Sequence, residues 1–104
     1  MDTNLYSVKK HDNSFSITLS GGEHAVFKAH FENNPILPGF IFLHICENAA
    51  KHKISEVIRA KFISFAKPND ILELNIAQKE EVFYAVFECG GKKICTIAYK
   101  IFKE

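Results

Sequence analysis

The segment best equipped for chemistry is His30-Phe31-Glu32-Asn33-Asn34-Pro35-Ile36-Leu37-Pro38-Gly39, which runs directly into an apolar stretch. An imidazole titrates near neutral pH, and in its neutral form His30 can take a proton. Two prolines and a glycine lead from it into a helix. Proline is accepted there because the first N–H groups of a helix have no intrahelical acceptor. Those orphan groups sit at the positive end of the helix dipole, where they polarise a carbonyl oxygen or hold an anion. A base beside such donors suits proton transfer next to a carbonyl, with the N–H of Gly39 or Phe40 facing the oxygen.

The helix that supplies those donors is expected from Gly39 to about Lys51. Phe40, Ile41, Phe42, Leu43, Ile45, Cys46, Ala49 and Ala50 make it apolar around most of its circumference, the mark of a buried helix. Its polar residues, His44, Glu47, Asn48 and Lys51, recur at i, i+3, i+4 and i+7 and so share one stripe. That stripe either borders an active site or is the solvated edge of an otherwise buried helix.

Around the helix the pattern has period two. Strands are expected at Leu5–Lys10 and Ser14–Ser20, with a short one at His24–Ala29 after the Gly21-Gly22 break. Further strands are expected near Glu56–Phe65, Ile71–Lys79, Glu81–Cys89 and Lys92–Phe102, the last two joined by a Gly90-Gly91 hairpin turn. One buried helix with an antiparallel meander is an α+β arrangement. The 104 residues form one domain, 1–104, without repeats or linkers.

Composition narrows the function classes. A net charge of +1 with scattered lysines gives no footprint for nucleic acid or a membrane surface. The apolar run at 36–50 is too short to span a bilayer, so no membrane insertion is expected. Cys46, Cys89 and Cys95 are odd in number and lack metal spacing, and no signal-like segment precedes them, which fits a reduced, cytoplasmic setting. His11, His24 and His52 lack ligand spacing as well, so no metal site is expected. Ten phenylalanines within 47% hydrophobic residues point either to a Phe-rich core or to apolar surface set aside for a subunit interface or a ligand.

The order His-Phe, three residues, Pro, two residues, Pro-Gly and a hydrophobic helix resembles the signature of the hot-dog-fold 3-hydroxyacyl-thioester dehydratases. These remove water from 3-hydroxyacyl groups carried on acyl carrier protein. Ile58-Arg59-Ala60-Lys61-Phe62 and Phe65-Ala66-Lys67-Pro68-Asn69-Asp70-Ile71-Leu72-Glu73-Leu74 are similar to that family's basic strand, Pro-Gly-Asp-type turn and following strand, with Asn69 in place of the usual glycine. The likeness runs from about Ser14 to the C-terminus. It implies a hot-dog fold, a curved antiparallel sheet wrapped around one central helix, and a homodimer or higher oligomer in which the base and its helix partner come from different subunits.

For the site, the resemblance implies His30 as the base that removes the C2 proton and the Gly39 N–H as oxyanion donor. Phe31, Pro38, Gly39, Phe40 and Asn48 become substrate contacts. Fourteen positions after the histidine the family carries an acidic residue, and here that position is His44. His44 either acts as the acid, held protonated by Glu47, or assists while His30 returns its proton to the hydroxyl, or only fills space. No cofactor is implied beyond the phosphopantetheine arm of acyl carrier protein or coenzyme A. Lys28, Lys51, Arg59, Lys61 and Lys67 are candidates for a docking rim toward an acidic carrier, or else a solvated strand edge. Two other functions stay open: an acyl-thioesterase using Glu47, and a non-catalytic acyl-binding protein.

Overall fold

Alternating burial builds the sheet. Ile17 and Leu19 are buried on either side of exposed Thr18, and Leu72 and Leu74 are buried between exposed Ile71, Glu73 and Asn75. The computed structural model describes residues 4–29 and 35–103; the expectations for His30 and Phe31 fall outside the described residues. In chain order the elements are β1 (Tyr6–Lys10), β2 (Phe15–Leu19), α1 (Ala25–Ala29), α2 (Gly39–Ala50), β3 (Ile54–Phe62), β4 (Ile71–Lys79), β5 (Val82–Cys89) and β6 (Lys92–Ile101). The six strands form one antiparallel sheet in the order β1-β2-β4-β5-β6-β3.

The sheet's inner face covers α2. Ile41, Phe42, Ile45, Cys46 and Ala49 pack among Ile17, Leu74, Ala85, Phe87, Cys95, Ile97 and Tyr99, all buried. The rings of Phe42 and Phe87 meet edge to face with centroids 4.9 Å apart. Cys46 and Cys95 are packing residues: burial pushes both thiols up to about 12.

Turns follow their residue types. Gly90 and Gly91 both have positive φ (61° and 84°), the demand of a tight two-residue hairpin turn. Asn69 takes the left-handed conformation (φ 69°), which explains how it stands where the resembled family has glycine, since asparagine tolerates that region better than most residues. Asp70 Oδ2 accepts the Lys67 N–H at 2.8 Å and closes the turn.

Two expectations need correction. Residues 24–29 are no strand: His24 Nδ1 accepts the Val26 N–H at 3.0 Å, starting the short helix α1 and sinking Phe27 fully into the core. Six residues are too few for periodicity to separate helix from strand. β3 starts and ends earlier than expected, because Ile63 and Ser64 both donate to the Ile94 carbonyl as the chain leaves the sheet, and Leu37 N–H donates to the Ala66 carbonyl.

At its C-terminus α2 ends in Lys51, left-handed at φ 62°, and the N–H groups of Lys51 and His52 both donate to the Glu47 carbonyl. His52 then packs on Phe83 and Tyr99, with Nε2 2.8 Å from the Tyr99 hydroxyl. Burial lowers its pKa below the ordinary 6.5, partly offset by Glu47. The unfolded chain therefore takes up this proton first as pH falls: the stability tied to the neutral ring is intact above about pH 6.5 and is lost below it. The fall in melting temperature between pH 7.5 and pH 5 is expected to be smaller for His52→Gln than for wild type; equal falls would contradict this reading.

Candidate active site

Among the described residues, no side chain caps the donors at the start of helix α2. Pro38 holds the N-cap position in extended conformation (φ −63°, ψ 144°). Proline has no N–H to satisfy, so the open donors start with Gly39 and Phe40. The Pro38 carbonyl accepts the Ile41 N–H at 3.1 Å, so the turn is already closed.

Gly39 permits a close approach. A Cβ there would stand 3.0 Å from Cζ and 3.2 Å from Cε1 of Phe62, at the end of β3, so the ring lies against the first turn of α2. Phe62 also packs against Phe42 at 6.0 Å between centroids. Together with Ile36, Pro38, Phe40 and Phe65 it lines an apolar hollow of about 430 Å³ at the helix N-terminus. A second hollow of about 420 Å³ adjoins it across Phe40 and is lined by Leu43, His44, Glu47 and Ile54. Phe40, Phe62 and Phe65 are 65%, 52% and 62% exposed, so this apolar surface is not part of the core.

His44 stands exposed on the open line of α2, one turn before Asn48. The hydroxyl of Tyr6, from β1, lies 3.1 Å from His44 Nδ1 and accepts a hydrogen bond from Asn48 Nδ2. The two rings meet edge to face. Burial is the main reason that the Tyr6 hydroxyl titrates above its ordinary value. Tyr6 was not legible as a site residue: it lies 38 and 42 positions from its partners in a weakly patterned strand, and no spacing rule connects them.

Of the alternatives for His44, its pairing with Glu47 is not what the structure shows. Glu47 Oε2 accepts the Ile54 N–H at 2.8 Å, tying the carboxylate to the start of β3, and the partner of His44 is a phenol. Pro38, Gly39, Phe40, His44 and Asn48 do lie along the first three turns of one helix. The basic residues are all exposed but spread out: Arg59 and Lys61 on β3, Lys67 in the following loop, Lys28 on α1, and Lys51 at the far end of α2. That far end holds a hollow of about 820 Å³ between Lys51, His52, Lys53 and Phe102, distant from the open helix N-terminus. The described residues contain no cluster of potential metal ligands, and no helix among them is long and apolar enough to cross a membrane.

Residues 7–98 match the family described as ApeI-like, ApeI dehydratase. Among solved structures, the dehydratase heterocomplex ApeI:P from Xenorhabdus doucetiae is similar with a TM-score of 0.68 and 20% identity over 88% of each chain. An uncharacterized protein from Erwinia carotovora subsp. atroseptica is similar with a TM-score of 0.64 and 19% identity, over 91% of this chain and 89% of the other. No curated protein matches the chain. These likenesses bear out the curled hot-dog sheet around a central helix.

Gly39→Ala tests the contact at the mouth of the site. Alanine favours the helix by about 1 kcal/mol while the half-exposed Phe62 ring must give by a few tenths of an ångström. Stability is expected to stay within about 1 kcal/mol of wild type, with shifted Phe62 and Phe42 ring resonances; an unaltered aromatic spectrum would contradict the close approach.

Proposed function

The chain belongs to the ApeI-like dehydratase family, and from that footing we propose that it removes water from a 3-hydroxyacyl thioester delivered on the phosphopantetheine of acyl carrier protein or coenzyme A. The observation that carries this reading is the N-terminus of α2, capped by no described side chain, opening onto an apolar hollow, with His44 further along the same helix.

In this reading the acyl chain lies against Phe40, Phe62 and Phe65, and the thioester oxygen faces the Gly39 or Phe40 N–H. His30 takes the C2 proton, and negative charge moves onto the oxygen, where the helix end stabilises it. The C2–C3 double bond forms as the C3–oxygen bond breaks. His44 holds the departing hydroxyl by a hydrogen bond, and the proton on His30 passes to that oxygen, so one water leaves and His30 ends neutral. A shared role for the two imidazoles fits a His44 whose partner is Tyr6 and not a carboxylate. The commitment of one Glu47 oxygen to the Ile54 N–H favours this chemistry over hydrolysis with Glu47 as base.

A second copy of the chain completes the site. β3 is an edge strand, exposed along nearly its whole length, and it carries Val57, Ile58 and Phe62, with Ile63 and Phe65 just beyond. An exposed apolar edge of this length calls for a partner. The similar Xenorhabdus protein is part of a heterocomplex, which sets the other outcome of a mass measurement. Basic residues near this edge, Arg59, Lys61 and Lys67, would steer an acidic carrier. Three free cysteines suit a reducing cytoplasm.

Purified protein is expected to run at twice the 11.8 kDa of one chain and to hydrate a 2-enoyl thioester. His30→Ala and His44→Ala are each expected to lose about 10²–10⁴-fold with unchanged melting temperatures. Wild type that is inert on both carriers across several chain lengths, or that hydrolyses the thioester without interconverting hydroxyacyl and enoyl forms, would overturn the proposal. A mass of one chain would move the second subunit's place to a different protein.

A further inference from the structure

Tyr6 has no part in the chemistry above, yet it joins the first strand to the helix residue in question. Its hydroxyl sits between Asn48 Nδ2 and His44 Nδ1. A phenol has one proton to give. With the Asn48 amide donating to the phenol oxygen, the phenol keeps its own proton to give, and His44 Nδ1 stands 3.1 Å away to take it. When the phenol donates there, Nδ1 is the unprotonated ring nitrogen and the proton of neutral His44 is on Nε2, on the side of the ring away from Tyr6. Burial keeps the phenol protonated and so keeps it a donor.

We propose that Tyr6, held by Asn48, is a positioning residue that fixes His44 as the Nε2–H tautomer and aims that N–H at the substrate hydroxyl. The proposal rests on the reading of His44 as the group that holds the departing hydroxyl. Around His44 the described residues include Tyr6 from β1, Glu47 and Asn48 from its own helix, and apolar Phe40, Leu43 and Ile54. Glu47 is tied to the Ile54 N–H, and among the described residues the phenol of Tyr6 is the group bonded to a His44 ring nitrogen. This gives β1 a task beyond closing the sheet: a strand at one edge orients a side chain on the central helix.

The state of each ring nitrogen is read directly from the ¹⁵N shifts of His44 in the intact protein near pH 8. Wild type is expected to show a single Nε2–H tautomer, and Tyr6→Phe, which keeps the ring and removes only the hydroxyl, a mixture of both. In enoyl hydration Tyr6→Phe is expected to lower kcat by up to about 100-fold, the scale of a misplaced catalytic group, with KM within about twofold. A wild-type Nδ1–H tautomer would overturn the proposal, because the phenol would then accept from His44 and leave the ring's tautomer unset by its own proton. So would a Tyr6→Phe protein with wild-type kcat and an unchanged tautomer. If Tyr6→Phe fails to fold, the wild-type spectrum still decides, with Asn48→Ala as the second variant. A wild type inert toward every thioester defeats the proposed function, while the tautomer assignment stands or falls by the spectrum alone.

Discussion

A helix apolar on nearly every side must be covered, and a single sheet covers all of it but one line. The rest of the structure follows from that burial. Ile41, Phe42, Ile45, Cys46 and Ala49 face the curled sheet, while Phe40, His44, Glu47, Asn48 and Lys51 fall on the line it leaves open. The two edge strands flank that line. Tyr6, first residue of β1, meets His44 and Asn48, and Ile54, first residue of β3, meets Glu47. Polar side chains on a helix otherwise sunk in hydrocarbon are thus gathered where both edges of the sheet reach them.

The same geometry leaves apolar surface without cover. Proline at the N-cap and glycine at the first helical position let Phe62 lie against the helix end, and Phe40 and Phe65 stand exposed beside it. Open backbone donors next to an apolar hollow meet the needs of a substrate with a polar carbonyl and a hydrocarbon chain. Edge strand β3 runs past this mouth, so one interface would both cover apolar surface and enclose the site.

Much of this was legible in the sequence because it is written in local pattern. The helix from Gly39, the four long strands and the two-glycine turn all come from periodicity and turn chemistry, and they stand within a few residues of expectation. The stripe of His44, Glu47, Asn48 and Lys51 follows from helical spacing alone. Contacts between distant segments were not legible. Nothing in residues 44–48 announces Tyr6, and nothing in Glu47 announces that its carboxylate serves a backbone N–H seven residues on. The short helix at Ala25–Ala29 is not legible because a histidine side chain starts it, where a period-two reading of the six residues His24–Ala29 suggests a strand.

The most direct test of the central claim is a crystal structure of the protein with a pantetheine-linked 3-hydroxyacyl amide, a substrate mimic that keeps the carbonyl and the hydroxyl. The account predicts the carbonyl oxygen within hydrogen-bonding distance of the Gly39 or Phe40 N–H, the hydroxyl against His44, and the acyl chain along Phe40 and Phe62. A ligand seated instead in the hollow between Lys51, His52 and Phe102, with the N-terminus of α2 unengaged, would contradict it.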